Sequence, residues 1–128
     1  MLKIKTYIAK SPINGIGLFF AENVKANTLL WSFDERVDLV FSDKEFSEIP
    51  NFLRSHFLKY SYQDIDSKLW LYCGDNARFT NHSIDANVLS KSGDNFGYDF
   101  ALRDIKAGEE YLANYAQWDL NFKNNFIS

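Results

Sequence analysis

The sequence predicts a mostly antiparallel, β-dominated domain, and three observations carry that expectation. Short runs with two-residue apolar periodicity recur along the chain, residues that tolerate tight turns punctuate them, and helical periodicity is confined to one insert at about residues 42–60. At 128 residues the chain is long enough to bury one core but too short for two, so residues 1–128 are read as a single domain.

The elements follow in order. In "MLKIKTYIAK", Leu2, Ile4, Thr6 and Ile8 alternate with Lys3, Lys5 and Tyr7, which is strand periodicity. Next comes the glycine-containing turn "SPINGIGLFF". Two later segments echo each other: "ENVKANTLLWSF" (Glu22 to Phe33) and "RDIKAGEEYLAN" (Arg103 to Asn114) each carry a β-branched residue, then Lys-Ala, then Asn27 or Gly108. Asn and Gly tolerate φ > 0, so each segment reads as a tight turn leading into a strand. The echo fits either an old duplication or two similar turns solving one steric problem. From Ser42 the pattern becomes helical: "SDKE" offers a capping box with Ser42 as N-cap and Glu45 reaching back, and Phe46 and Ile49 follow at helical spacing. Pro50 ends that turn and suits the first position of a second helix, "PNFLRSHFLKY", with Leu53 and Phe57 toward the core. Further on, Val88 to Ser90, the turn "KSGDN" and the strand "FGYDFALRDI" follow, Phe96, Tyr98, Phe100 and Leu102 alternating in the last.

Composition removes several classes of function. The net charge of −3 provides no basic field for a phosphate backbone, so nucleic acid is not the expected partner. The single cysteine, Cys73, can neither close an intramolecular disulfide nor build a multi-cysteine zinc cluster. The amino terminus lacks the apolar run of a signal peptide and no stretch is long and apolar enough to cross a bilayer. The expectation is a soluble intracellular protein, cytoplasmic with a nuclear or host-delivered location left open, and without a membrane partner. Aromatic residues reach 17%, enough that most must lie inside or line a groove.

Few residues suit familiar catalytic chemistry. His82 has no second histidine or cysteine nearby, which argues against a catalytic zinc, and His56 falls on the second helix without a ligand partner. Asn81-His82-Ser83 matches a glycosylation sequon but lacks the secretory route it requires. The G-x-S-x-G nucleophile elbow is absent. Gly15-Ile16-Gly17 lacks the third glycine of a dinucleotide fingerprint, Phe20 taking its place, and two glycines can make a plain hairpin turn. Glu109 and Glu110 read as solvated turn residues.

Order and company change the weight of these fragments. "SPINGIGLFFAENVKANTLLWSF", then "ARFTNHSIDAN", then "DIKAGEEYLANY" run from Ser11 to Tyr115. Together they resemble the SET domain of protein lysine methyltransferases: its opening glycine loop and strand, its RFxNHSCxPN segment, and its GEELxxDY segment. The middle motif is the specific one. The resemblance implies a β-clip of short antiparallel strands with a small helical insert, closed by a carboxy-terminal pseudoknot that brings the two late motifs together. It implies S-adenosylmethionine as cofactor, S-adenosylhomocysteine as product, and no metal. The backbone of Asn14, Gly15, Ile16 and Gly17 would approach that cofactor, Phe79 would support its pocket, Asn81 and His82 would meet the adenine, and Tyr115 would be the catalytic residue, also bordering the cofactor.

Methyl transfer from a sulfonium to an amine is an in-line displacement, which asks the protein chiefly for alignment. The lysine must arrive neutral although its free pKa is about 10.4, and an apolar channel pushes that value down. Tyr115 would orient the amine rather than act as a base.

Several positions depart from the pattern. Ile84 stands for cysteine, Ala86 for proline and Asn114 for aspartate. Asp34 falls where many members carry a tyrosine lining the substrate channel, which leaves both the degree of methylation and activity itself open. The flanking cysteine clusters of many relatives are missing, so the tail at about residues 116–128 is expected to cover the site, Trp118 over the cofactor and Phe122 along the substrate channel with Tyr115. The implied partner is a lysine-bearing protein or peptide, histone-like and ribosomal tails included, and a homodimer is compatible with so small a domain. Two other readings stay open: a SET-like module that binds peptide or cofactor without transfer, and a structural β domain with neither ligand.

Overall fold

The computed structural model describes residues 1–122. It is mainly β, built from short strands, as the periodicities imply. Strands β1 (Thr6–Lys10) and β2 (Ile16–Phe20) form an antiparallel hairpin with Ala9 opposite Gly17. The Ser11 amide donates to the Gly15 carbonyl at 2.8 Å, and Gly15 takes φ 50°, a value that favours glycine. The alternation seen in the sequence holds for Leu2 and Ile4, which pack on the main core, but Ile8 is 44% exposed. A two-stranded ribbon has no layer over its outer face.

A five-stranded sheet carries the motifs. Its order is β3 (Leu29–Ser32), β9 (Tyr98–Ala101), β8 (Val88–Lys91), β10 (Leu112–Ala113) and β7 (Asn81–His82). A three-stranded antiparallel sheet places β6 (Trp70–Tyr72) between β4 (Leu39–Phe41) and β5 (Ser61–Gln63). The principal core joins Leu18, Phe20, Leu30, Val88, Ile105 and Tyr111, with the rings of Phe20 and Tyr111 stacked at 5.3 Å. Trp31, Leu71 and Cys73 form a second buried cluster.

The two echoing segments turn out to pair with each other. Val24 and Ile105 exchange backbone hydrogen bonds of 2.8 Å in both directions, and both are buried. Asn27 and Gly108 take φ 67° and 95°, as the turn chemistry requires.

The helical insert comprises α1 (Asp43–Ser47) and α2 (Asn51–Tyr60). The capping box is present: Ser42 Oγ accepts from the Glu45 amide at 3.1 Å and Glu45 Oε1 accepts from the Ser42 amide at 2.9 Å. Phe46 is buried against Trp70, rings stacked at 4.2 Å. Pro50, expected at the first helical position, is instead the N-cap of α2, one position ahead of Asn51. Leu53, expected in the core, is exposed, and α2 buries none of its residues fully. Phe57 reaches Phe41 and Tyr72. On and beside β9 the alternation sorts burial only in part: Phe96 and Phe100 are half-buried, but Tyr98 and Leu102 are exposed, whereas Asp99 is half-buried and Ala101 buried.

The exception to antiparallel pairing is β10. It runs parallel to both β7 and β8 and lies between them, so residues 83–87, which join those two strands, cross it. Asn87 clamps the crossing: its Nδ2 donates to the Glu110 carbonyl at 2.7 Å and its Oδ1 accepts from the Leu112 amide at 3.0 Å. This is the pseudoknot, and it delivers the chain after residue 113 to the mid-chain motif.

Candidate active site

The site begins at the hairpin turn. Ser11 Oγ accepts from the amides of Ile13 and Asn14 and is 2.9 Å from both carboxylate oxygens of Glu110, to which it donates. Glu110 Oε2 also accepts from Asn81 Nδ2 at 2.9 Å, and the same Asn81 nitrogen donates to the Asn14 carbonyl at 3.0 Å. Asn81 thereby ties the glycine turn to the mid-chain motif while Glu110 ties both to the late one. A Cβ on Gly17 would lie 2.5 Å from Glu110 Oε2 and 3.0 Å from Ser11 Cβ, so glycine is what lets the carboxylate reach in. Glu110 is therefore a part-buried hub and not the solvated turn residue that its setting in the sequence suggested.

The mid-chain motif starts with a 3-10 turn, Asn76–Phe79, capped by Asp75, whose side chain accepts from the Ala77 amide at 3.0 Å. Thr80 then turns the chain into β7. His82 Nδ1 accepts from the Tyr115 amide at 3.1 Å, which requires the proton on Nε2, and the two rings lie 5.3 Å apart. The Tyr115 hydroxyl donates to the Thr80 carbonyl. Burial, with lesser contributions from Asp119 and Glu110, pushes the Tyr115 pKa up to about 12, so the hydroxyl stays protonated through the working range.

Two cavities meet at this tyrosine. One, of about 220 Å³, is walled by Trp31, Tyr62, Phe96, Asp99 and Trp118 among others. The other, of about 380 Å³, is walled by Asn14, Gly15, Ile16, Phe79 and Asn81. Lys59, Tyr60, Arg78, Thr80 and Tyr115 belong to both walls. The Tyr60 and Phe79 rings meet edge to face at 5.4 Å, and the Arg78 guanidinium sits 4.7 Å over Phe79. Arg78 Nε is buried without a hydrogen-bond partner among the described residues, as are Trp31 Nε1 and Ser61 Oγ in the smaller cavity. Such groups are costly unless something polar meets them.

The larger cavity suits a zwitterionic nucleoside. Gly15 has open space where its Cβ would be, leaving turn backbone accessible, Tyr60 and Phe79 offer rings to a base, and Lys59 and Arg78 offer cations to a carboxylate. The smaller cavity, rich in aromatic residues, suits an alkyl chain ending in a cation.

Of the residues singled out from sequence, Asn14, Gly15, Ile16, Phe79, Asn81 and Tyr115 wall the larger cavity together. Gly17 and His82 stand just outside it, Gly17 against Glu110 and His82 holding the Tyr115 amide. Trp118, assigned to the cofactor, instead walls the smaller cavity, its ring 4.7 Å from Tyr115 and 4.3 Å from Tyr62. The turn after Tyr115 directs it there. Phe122 packs on the rings of His82 and Tyr115 at 4.5 and 5.5 Å; the rest of the tail, 123–128, lies outside the described residues. Asp34 is a correction: it walls neither cavity, and its carboxylate is ion-paired to Arg36 at 2.6 Å in the turn after β3, which holds it well below the usual carboxylate range. Lys59, Tyr60, Tyr62 and Arg78 join these walls without a sequence signal that marks them. Arg78 sits inside the quoted motif, but no periodicity announces that α2 ends at this site.

The model of the SET domain family matches residues 15–116. No curated protein matches the chain. Among solved structures, Chaetomium thermophilum Polycomb Repressive Complex 2 bound to GSK126 superposes with a TM-score of 0.68 at 23% identity, over 97% of this chain and 17% of that one. A structure of ctPRC2 bound to S-adenosylmethionine gives 0.67 at 22%, over 97% and 16%. The Plasmodium falciparum histone methyltransferase candidate PFL0690c gives 0.60 at 24%, over 89% of this chain and 95% of that one. At these identities the likeness is one of fold, and the chain spans only about a sixth of the Polycomb chains it matches.

Proposed function

The chain belongs to the SET domain family, and on that premise we propose that it transfers a methyl group from S-adenosylmethionine to the side-chain amine of a lysine in a protein substrate. One observation carries the reading: Tyr115 and the Thr80 carbonyl stand in the wall shared by a nucleoside-sized cavity and an aromatic one.

S-adenosylmethionine, when bound, supplies an electrophilic methyl group. The chain's own residues do the remaining work. Asn14 to Ile16, Phe79 and Asn81 bind and orient the nucleoside end, with Lys59 and Arg78 on the carboxylate. Tyr62 and Trp118 sheathe the lysine stem and exclude water, which lowers the pKa of the incoming amine. The Tyr115 hydroxyl donates its hydrogen bond to the Thr80 carbonyl, leaving its oxygen lone pairs to accept from the amine and fix the line of attack. With its pKa near 12 it cannot act as a general base near neutrality. The amine therefore sheds its proton to solvent before it is aligned.

Asp34, the residue that weighed toward a module that binds without transfer, stands outside both cavity walls. The substrate is a protein inside the cell, and the excess of acidic residues favours a lysine-rich tail. The decisive experiment incubates the protein with tritiated S-adenosylmethionine and a library of lysine peptides. Label on lysine supports the reading; cofactor binding by calorimetry with no label on any peptide or lysate protein overturns it.

A further inference from the structure

Two hydroxyl groups hold one carboxylate in the wall of the smaller cavity. Ser90 Oγ donates to Asp99 Oδ1 at 2.7 Å, and the Tyr111 hydroxyl donates to Oδ2 at 2.5 Å. Ser90 and Tyr111 are buried, whereas Asp99 is half-buried and borders the cavity that Tyr115 and Trp118 also border. Tyr111 stands at the leucine of the GEELxxDY pattern, so the donor that anchors Oδ2 is a departure of this chain. A carboxylate oxygen that accepts one hydrogen bond keeps capacity for another.

Asp99 is set apart from its acidic neighbours by having both oxygens fixed by side-chain hydroxyls, which orients the carboxylate and leaves each oxygen a further lone pair. Asp64 and Asp119 border the same cavity, each with one oxygen held by its own turn: Asp64 Oδ2 accepts from the Ser67 amide and hydroxyl at 2.8 Å, and Asp119 Oδ1 from the amides of Asn121 and Phe122 at 3.0 and 3.2 Å. Tyr62 and Cys73 face Asp99 and stay neutral, burial pushing both pKa values up, while the amino-terminal ammonium acts weakly from a distance. Lys59, Arg78 and Lys91 carry the positive charge of the wall. Burial raises the Asp99 pKa, and its two hydroxyl donors oppose that rise.

We propose that Asp99 is a specificity-determining residue of the lysine channel, its carboxylate accepting N–H hydrogen bonds from the target amine and so selecting unmethylated and singly methylated lysine over more highly methylated forms. This rests on the methyltransferase reading. Each methyl group added to the amine removes one N–H donor, and the tertiary and quaternary products offer the carboxylate progressively less. A carboxylate beside the amine also favours the ammonium and raises its pKa, which moves the rising limb of the rate profile to higher pH.

The test uses the whole protein with S-adenosylhomocysteine present and follows binding of n-butylamine and its mono-, di- and trimethylated derivatives by NMR. Wild type is expected to lose affinity stepwise with methylation, by about tenfold overall, as for lost charge-assisted hydrogen bonds. Asp99→Asn keeps the shape and should flatten that series; with a peptide substrate it should shift products toward higher methylation and the rising limb to lower pH. Should Asp99→Asn not fold, Tyr111→Phe, which frees one carboxylate oxygen from its anchor, should weaken the discrimination instead. No amine binding by wild type, or the same discrimination in a folded variant, overturns the proposal. Asp99-dependent amine binding without label transfer would sink the methyltransferase reading and leave the amine site standing. Label transfer with product ratios and pH profile unchanged in Asp99→Asn would do the reverse.

Discussion

The backbone amide of Tyr115 donates to Nδ1 of His82 at 3.1 Å, across a separation of 33 residues. That bond sets where the tyrosine starts, and the Thr80 carbonyl sets where its hydroxyl ends. His82→Ala is therefore expected to lower kcat by roughly 10- to 100-fold through misplacement of Tyr115, with cofactor affinity changed by no more than about threefold, since His82 walls neither cavity. Calorimetry beside steady-state kinetics separates the two; a loss confined to cofactor binding would assign His82 to the nucleoside instead.

Tyr115→Phe removes the hydroxyl and keeps the ring that packs on Trp118 and Phe122. Turnover should fall by roughly 100-fold or more, the scale of losing one aligned polar group at a reacting centre, while the thermal midpoint and cofactor affinity stay close to wild type. Single-turnover kinetics with an unmethylated lysine peptide read this directly, and an unchanged rate would remove Tyr115 from the chemistry.

Glu110 accepts from both Ser11 and Asn81 and so joins them. Glu110→Ala should cost about 1–3 kcal/mol of stability by leaving part-buried donors unmet, and it should weaken cofactor binding because Asn14 and Asn81 lose their common brace. Gly17→Ala should act in the same direction, its methyl displacing the carboxylate. Denaturant melts and cofactor titrations check both; intact affinity in Glu110→Ala would show that the turn holds its shape unaided.

Gly74→Ala tests the approach to the mid-chain motif. A Cβ there would fall 1.8 Å from the Val37 carbonyl oxygen, a backbone atom that cannot swing aside. The expected loss is about 1–3 kcal/mol or more, with the Asp75 cap and the Asn76–Phe79 turn displaced as well, so that cofactor affinity falls alongside the melting temperature.

Alkaline pH should unfold the protein in a particular window. The pKa values of Tyr62, Tyr111 and Tyr115 are all raised, first by burial, so the folded state favours the neutral phenols. Their contribution is intact below the unfolded value of about 10 and is lost as pH rises from there through the folded values, that of Tyr115 being about 12. Tyrosinate absorbance at these three positions should therefore appear together with loss of far-ultraviolet signal above pH 10. Ionisation without unfolding would contradict the burial.

Much of the local structure is legible in the sequence. The capping box at Ser42 and Glu45, the φ > 0 turns at Asn27 and Gly108, and the hairpin around Gly15 and Gly17 depend on a few consecutive residues, and steric rules act at that range. The motif order likewise pointed to Asn81 and Tyr115 as neighbours of one site. What misled was burial. Leu53 and Ile8 carry the right period, yet period says only that a residue shares a face with its repeats, not that another layer covers that face. The place of Asp34 in a motif predicts a channel-lining residue, whereas the turn that follows β3 gives its carboxylate to Arg36.

By itself the sequence determined the short strands, their turns, the helical insert and the identity of the polar groups, because these follow from local sterics and hydrogen-bonding valence. Only the tertiary structure decided that β10 threads between β7 and β8, that Glu110 is a hub, and that Tyr60, Arg78 and Tyr115 share a wall. Those arrangements join residues tens of positions apart, and the free energy that selects them comes from burying the Phe20 and Tyr111 core and satisfying Asn81 and Asn87 within it, which no stretch of neighbouring residues encodes.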